Sequence, residues 1–300
     1  MDMKTRNPAE QTGEFPARIL PPGEVIPALR RPSGLGVRDY AVFAILLAAT
    51  AFTTWMVMGI WFSLSLLLIL GAHEFGHFWA GRRNDVRTSL PYFIPAPPIF
   101  LAGTFGAFIR IKEPIPDRRA LMEIGAYGPI AGYIVAIPVL AIGLSLSTVT
   151  VDTGAAAGQI SLGSSIAMTV ISKLVLGVTP YTAGVNIELH PCAFAGWFGL
   201  FFTALNLWPV GQLDGGHIAY ALFPKRNFLT AKFFLVALIP MGYWWPGWWV
   251  WAVMVLLVGI KHPPLPFESI PLERKHRLVG YVSIFIFLTT ILPIPIDIIS

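Results

Sequence analysis

The sequence predicts an all-α polytopic membrane protein with six to seven transmembrane helices and one short re-entrant, β-like segment around residues 91–112. Of its 300 residues, 55% are apolar and only 12% are charged, and the mean hydropathy is +0.67. Soluble domains carry about 25% charged residues, so an ordinary soluble enzyme is excluded. The net charge of +5 is scattered in short clusters between apolar runs, which argues against a nucleic acid as partner.

Six apolar stretches are candidates for membrane spans, since a helical span needs about 20 mostly apolar residues. The first stretch has 42 residues, enough for two spans joined by a tight turn near Gly59. The fourth and fifth stretches are short, so they can form a tilted hairpin or one re-entrant unit. The six stretches are 40–81, 120–146, 192–223, 229–244, 247–260 and 278–297.

The basic residues of the connections orient the chain, because cytoplasmic loops carry an excess of lysine and arginine. The segment before the first span holds six basic residues, and the connection 82–119 holds seven. The connection 147–191 holds only Lys173, which places it on the external side. Residues 1–38 are therefore predicted to be a flexible cytoplasmic tail, and residues 39–300 one domain embedded in the lipid bilayer.

The residues best suited to chemistry form the motif His73-Glu74-Phe75-Gly76-His77, which lies inside the second span. Residues four apart lie on one face of a helix, so both imidazoles can reach one metal ion. The glutamate beside the first histidine is placed to take a proton from water activated there. Ionisable groups inside a membrane need a partner, and a divalent cation suits all three. The alternative is a buried polar network that bridges helices.

A catalytic zinc site needs a third protein ligand and an open position, and Asp214 is the best candidate. His217 is also reasonable by geometry, since residues three apart lie about 60° apart around a helix. Charge favours the aspartate, because an anionic ligand neutralises Zn²⁺ better than a third imidazole where the dielectric constant is low. A capping role for Asp214 is the alternative. His217 is then expected either to lie beside the ligands or to face solvent at the cytoplasmic side of the site, whereas His190 and His262 are predicted to be solvated.

The helix that carries Asp214 is expected to be interrupted. Pro209 and the glycines around Asp214, including Gly211 and Gly215, should break it and free backbone groups near the metal. Asn206, just before the break, can donate a hydrogen bond to a substrate carbonyl, or it can simply satisfy the broken helix.

The segment 91–119 is broken by prolines and glycines, as expected of a hairpin or re-entrant strand that lies against the helices. An open strand edge there can add an extended peptide strand. The alternative is a re-entrant loop that only packs. The residues predicted to position substrate at this edge are Gly103, Thr104, Phe105 and Gly106.

The motifs HEFGH and NLWPVGQLDGG, with GTFGA and GAYGPIAG between them, resemble the site-2 protease family of intramembrane zinc metalloproteases, peptidase family M50. The resemblance covers roughly residues 60–223 and leaves extra C-terminal spans over 229–298. Neither a PDZ nor a CBS domain is visible. The resemblance implies a zinc ion, one per chain, with Glu74 as general base and Asn206 positioning substrate. The ligands it implies are His73, His77 and Asp214.

This resemblance implies a zinc metalloendopeptidase that hydrolyses peptide bonds in or near the transmembrane segments of membrane-protein substrates, in regulated intramembrane proteolysis. The variant looks like the bacterial and plastid branch, and the predicted location is a bacterial inner membrane with a cytoplasmic N-terminus. A membrane metal transporter is one rival, but it would more often repeat its ligands in matching halves. A proteolytically inactive scaffold of the same fold is the other, but it would not need Glu74.

Overall fold

A computed structural model describes residues 35–151 and 160–298, so the predicted tail 1–38 lies almost entirely outside the described residues. The described part is mostly helical, as predicted. Its helices are α1 (Val37–Arg83), α2 (Arg118–Ser145), α3 (Ile166–Leu176), α4 (Pro191–Asn206), α5 (Asp214–Leu222), α6 (Asn227–Trp244), α7 (Gly247–Val258) and α8 (Arg274–Thr290). Its strands are β1 (Tyr92–Pro95), β2 (Thr104–Phe108), β3 (Thr148–Val151), β4 (Ile160–Leu162), β5 (Val185–Glu188) and β6 (Ile296–Ile298).

Helix α1 is two helical arms that fold back on each other. The backbone leaves helical geometry at Met58 and Gly59, and the φ of +79° at Gly59 suits glycine. The hydroxyls of Thr54 and Ser63 lie 2.7 Å apart. Nine residues in a straight helix would separate them by about 13.5 Å. The chain therefore reverses here, and the predicted turn near Gly59 is confirmed.

Three helices of the described residues, α1, α2 and α6, are long and apolar enough to cross a membrane. Helices α3, α4 and α7 are apolar but shorter, with 10–17 residues each. The expected count of six to seven spans is not confirmed by this result and stays a prediction.

The distribution of side chains between surface and interior suits a membrane. Large apolar side chains are exposed along the helices, including Leu68, Phe233 and Leu257 at 59%, 68% and 78% exposure. Polar groups such as the Thr54 and Ser63 hydroxyls are buried and hydrogen-bonded to each other. Lipid offers no hydrogen bonds, so a chain in a bilayer satisfies its polar groups internally.

Helix α2 lies among α1, α3, α4, α5 and α8 and contacts all of them. It begins after Asp117, whose carboxylate accepts hydrogen bonds from the backbone N–H groups of Arg119 and Ala120 at 2.9 Å each. Such a cap satisfies N–H groups that have no partner within the helix. The start of α2 is thereby fixed beside the arm of α1 that carries the HEFGH motif.

The predicted β-like segment is an antiparallel hairpin of β1 and β2, with Tyr92 opposite Phe108 and Phe93 opposite Ala107. The hairpin contacts α1 along both strands. Beyond it, Thr88 and Ile111 form a further antiparallel bridge. The irregular segment 91–112 is therefore a short sheet packed on helices.

Two further strand pairs were not predicted. Strand β3 pairs with β5, and β4 pairs with β6 near the C-terminus. Each strand has only three or four residues, too short for a clear alternating pattern. The connection between α2 and α4 also contains helix α3, whose N-terminus is capped by the Ser165 hydroxyl.

The predicted interruption of the helix that carries Asp214 is confirmed, because α4 ends at Asn206 and α5 begins at Asp214. Glycines allow the intervening turn to fold tightly. A Cβ at Gly215 would overlap the Leu207 carbonyl oxygen, and one at Gly216 would overlap the carbonyl oxygen of Gly211. The guanidinium of Arg118 donates to the Ala221 carbonyl oxygen at 2.9 Å from Nε, so the C-terminal turn of α5 is tied to α2.

Candidate metal centre

The second arm of α1 brings the two histidines of the HEFGH motif together. His73 and His77 are buried, with 5% and 6% exposure, and their Nε2 atoms lie 3.0 Å apart. The i, i+4 spacing places both rings on one helix face, as predicted, with their planes 67° apart. The Glu74 side chain is also buried, at 3% exposure.

Asp214 completes this group from the first turn of α5. Its Oδ2 lies 3.2 Å from Nε2 of His73 and 3.2 Å from Nε2 of His77. One ligand atom from each of the three residues falls within 4.8 Å of the others, so the group could hold a metal ion. The structure therefore brings together the three predicted ligands.

The donor chemistry of this group fits zinc. Nδ1 of His77 lies 2.6 Å from the carbonyl oxygen of Ile124, and because a carbonyl only accepts, this nitrogen carries the proton. In the neutral ring, Nε2 of His77 then carries a lone pair that faces the Asp214 carboxylate. A cation bound between the two atoms would remove the repulsion between their lone pairs. Ligand atoms about 2.0–2.2 Å from a tetrahedral zinc ion lie about 3.3–3.6 Å from one another, and the separations here are 3.0–3.2 Å.

Glycines of α2 make room for the motif. A Cβ on Gly128 would overlap the imidazole of His77, and one on Gly132 would lie 3.2 Å from Cβ of His73. A Cβ on Gly76 would in turn overlap the Tyr127 carbonyl oxygen. Small residues at such positions let membrane helices approach closely, and here they also leave space for the ligand rings.

Asn206 reaches the same group from the last residue of α4. Its side-chain nitrogen lies 3.3 Å from Nε2 of His73, and it lines the same cavity. Asn206 therefore lies beside the candidate ligands as well as at the helix break.

A cavity of about 620 Å³ opens at this group. Glu74 lines it together with the three candidate ligands, and its carboxylate is hydrogen-bonded to the backbone of Ile109. The lining residues also include the segment Ala107, Phe108, Ile109, Arg110 and Ile111, which sequence reasoning missed. Ile109 follows β2 directly, so the hairpin forms one wall of the cavity.

The four predicted substrate-positioning residues lie earlier in the hairpin and are not among the residues that line this cavity. Gly103, with φ of +62°, packs so closely on α1 that a Cβ would lie 2.7 Å from the Thr53 carbonyl oxygen. The hydroxyl of Thr104 donates to the Ile94 carbonyl oxygen at 2.7 Å. Phe105 is exposed, and Gly106 has φ of +97°.

His217 lies outside the group that could hold a metal among the described residues. Its Nδ1 is 2.8 Å from Nε2 of His262, and both residues line the cavity. The interpretation of His262 as a solvated loop residue is therefore wrong, because the connection between α7 and α8 folds back to α5. No local pattern in the sequence signals this contact.

Replacing Asp214 by alanine is expected to remove most of the zinc from the purified protein, whereas His217→Ala keeps about one ion per chain. The reason is that Asp214 contributes the anionic ligand atom, while His217 forms its hydrogen bond to His262. Zinc content of well-folded protein, measured by plasma mass spectrometry, checks this. Loss of zinc in the His217 variant alone would reject the ligand set.

Comparison with known proteins points to a family of peptidases. The model of peptidase family M50 matches residues 61–240. "Probable zinc metalloprotease EGY1, chloroplastic" of Arabidopsis thaliana is 34% identical over 240 residues, which cover 76% of this chain and 42% of that protein. No solved structure matches the chain.

Two further relatives carry similar names. The EGY1 protein of Oryza sativa subsp. japonica is 31% identical over 74% of this chain and 38% of its own length. "Probable zinc metalloprotease EGY2, chloroplastic" of Arabidopsis thaliana is 28% identical over 76% of this chain and 40% of its own length. The chain thus spans about two fifths of the length of these relatives. Their names place them in chloroplasts, so the comparisons do not support the predicted bacterial inner membrane.

Proposed function

This chain belongs to peptidase family M50, and we propose that it is a membrane-embedded zinc metalloprotease that hydrolyses peptide bonds in or near transmembrane segments of membrane-protein substrates. The observation that carries this proposal is the convergence of His73, His77 and Asp214 next to buried Glu74 in one cavity. Three protein ligands and a carboxylate base are what a zinc hydrolase takes from its protein. The role proposed for it is regulated intramembrane proteolysis.

Zinc is the metal of this centre, and His73, His77 and Asp214 are its proposed ligands. When bound, zinc polarises the scissile carbonyl and lowers the pKa of water towards about 7. The hydrogen bond from His77 Nδ1 to the Ile124 carbonyl oxygen holds the ring in the tautomer that offers Nε2. Asn206 is placed to donate its side-chain N–H to the carbonyl oxygen of the substrate.

Glu74 is the proposed general base. Its carboxylate accepts the proton of the attacking water and then gives it to the nitrogen of the leaving amine, which must be protonated before it departs. The backbone of Ile109 is hydrogen-bonded to this carboxylate, which orients it in the cavity. Burial at 3% exposure keeps bulk water from competing for the same proton.

The wall formed by the hairpin is the proposed binding surface for an unwound substrate. In an intact helix each carbonyl accepts an internal hydrogen bond, so a transmembrane substrate must unwind locally to reach the centre. An extended strand then needs new partners, and the edge of β2 can supply them by strand addition. Gly103, Thr104, Phe105 and Gly106 shape the start of this strand, and 107–111 present its continuation to the cavity.

The orientation of the chain sets where cleavage falls in the substrate. The basic connections flank the arm of α1 that carries the motif, with Arg82 and Arg83 in its last turn. By the excess of basic residues on the cytoplasmic side, His73 and His77 lie nearer that side. Cleavage is therefore proposed in the cytoplasmic half of a substrate span, with the N-terminus of the chain on the same side.

The two rival functions find less support. A transporter would more often repeat its ligands in matching halves, whereas the described residues contain a single candidate ligand group, with His73 and His77 from α1 and Asp214 from α5. An inactive scaffold of this fold has no use for a buried carboxylate on the cavity wall, and Glu74 occupies that position.

The test is to incubate the purified full chain in lipid vesicles with a panel of single-span proteins, with and without a zinc chelator. Cleavage is expected to stop with the chelator and to return when zinc is restored, because the proposed hydrolysis requires a zinc ion on the ligand group. A soluble unfolded protein serves as a control for general proteolysis. No cleavage of any panel member by zinc-loaded protein would refute the proposal, and product termini in the external half would refute the orientation.

A further inference from the structure

The connection between α7 and α8, residues 259–273, contributes to the catalytic cavity although it lies beyond the residues matched by the family model. Five consecutive residues of this connection line the cavity. They are His262, Pro263, Pro264, Leu265 and Pro266. Prolines fix φ near −65° and carry no N–H, so this wall is stiff and offers few backbone donors of its own.

The side chain of His262 contacts two residues of α5, Tyr220 and His217. Its ring stacks on that of Tyr220, with centroids 4.3 Å apart at 30°. The hydroxyl of Tyr220 is hydrogen-bonded to the Glu268 side chain in the same connection. These contacts join the connection to α5, the helix that begins with Asp214.

A chain of hydrogen bonds sets the proton positions on two histidines. Nδ1 of His262 lies 2.6 Å from the Pro263 carbonyl oxygen, and because a carbonyl only accepts, Nδ1 carries the proton. Nε2 of a neutral His262 is therefore an acceptor, and it accepts a hydrogen bond from the Nδ1–H of His217 at 2.8 Å. Burial lowers the pKa of the His262 imidazole below its ordinary value, which favours this neutral form.

The second ring nitrogen of His217 is then a bare acceptor. In a neutral imidazole protonated at Nδ1, Nε2 keeps its lone pair. Within the described part of the chain Nε2 of His217 has no hydrogen-bond partner, and the residue lines the cavity one turn after Asp214. An unwound peptide brings unpaired backbone N–H groups into this cavity, and a buried donor left without a partner is unfavourable.

We propose that His262 is a positioning residue that fixes His217 as a hydrogen-bond acceptor for a backbone N–H of the extended substrate, so that the α7–α8 connection forms part of the substrate site. This rests on the proposed function, because it names the binding contact of a peptide at the same centre. Asn206, whose side chain lies next to His73, supplies a donor for a substrate carbonyl. His217 supplies an acceptor for a substrate N–H.

The test measures binding separately from cleavage. In a Glu74→Gln background, a labelled single-span peptide is titrated into the full chain in lipid vesicles, and Kd is obtained from fluorescence anisotropy. His262→Leu removes the acceptor for His217 and is expected to weaken binding about five- to tenfold. His262→Gln, whose side-chain oxygen can accept the same hydrogen bond, is expected to restore Kd to within threefold of the unsubstituted value. The neighbouring variant Lys261→Gln is the control and keeps the original Kd.

A second readout follows the tautomer directly. Nitrogen-15 NMR of histidine-labelled protein is expected to show His217 protonated at Nδ1 alone, and His262→Leu is expected to give a mixture of tautomers. Addition of peptide should shift the Nε2 signal of His217 in the protein that retains His262. Unchanged Kd in His262→Leu, or a His217 ring protonated at Nε2, would overturn the proposal. Failure of the proposed function would give a different result. The unsubstituted protein would then show His217 protonated at Nδ1 but would cleave no substrate.

Discussion

Glu74→Gln is expected to slow cleavage of a single-span substrate by roughly 10²- to 10⁴-fold while the protein keeps its zinc. Glutamine has nearly the same shape as glutamate but cannot accept a proton from water. The group that could hold the metal consists of His73, His77 and Asp214 and does not include Glu74. Single-turnover cleavage rates and zinc content, measured on the same preparation, check both parts of the expectation.

Glu113 offers a matched control for this variant. It is another glutamate that lines the cavity, but its carboxylate is paired with the Arg87 side chain at 2.6 Å. Glu113→Gln is therefore expected to change the cleavage rate only a few-fold. A normal rate in Glu74→Gln, or an equal loss in both variants, would contradict the assignment of the base.

Gly128→Ala is expected to lower zinc affinity roughly 10- to 100-fold without altering any ligand. The added methyl group would overlap the His77 ring. That ring cannot move aside freely, because its Nδ1 is held 2.6 Å from the Ile124 carbonyl oxygen. Displacing a ligand from the orientation set by its neighbours typically weakens metal binding by this amount. Competition with a chromogenic zinc chelator measures the change.

Gly71→Ala is the control for this substitution. Gly71 lies in α1, two residues before His73, and a Cβ there would meet no atom within 4 Å. Alanine is a better helix former than glycine by up to about 1 kcal/mol, so this variant should keep its zinc and unfold no more readily. Circular dichroism checks that the Gly128→Ala protein is folded. If its zinc affinity is then unchanged, the packing of α1 against α2 leaves more room around His77 than the structure indicates.

Composition and local motifs were enough to predict the helical pairing of the two histidines, the helix break before Asp214 and the turn near Gly59. A helix places residues four apart on one face wherever it lies, so the pairing of His73 with His77 followed from spacing alone. The helix break before Asp214 followed from Pro209 and the glycines, because their backbone restrictions act within a few residues. The turn near Gly59 followed from the length of the apolar stretch, which exceeds one bilayer crossing.

The number of spans could not be settled in the same way. Stretches such as 229–244 and 247–260 appear as helices α6 and α7, but only α6 is long and apolar enough to cross a membrane. The strand pairs β3–β5 and β4–β6 join segments far apart in the chain, with three or four residues each. Pairing of such short segments depends on where the intervening helices place them, which periodicity does not encode.

The sequence by itself thus determined the membrane class, the His-Glu-His face and Asp214 as the candidate third ligand, because each follows from composition, helical spacing or charge. Only the tertiary structure decided what surrounds them. The Ile124 carbonyl that orients His77 and the contact of His262 with His217 join residues 47 and 45 positions apart. The 107–111 wall brings a further separate segment to the same cavity. Such contacts depend on the paths of connections and on the glycines that let helices approach, and short-range patterns carry no record of either.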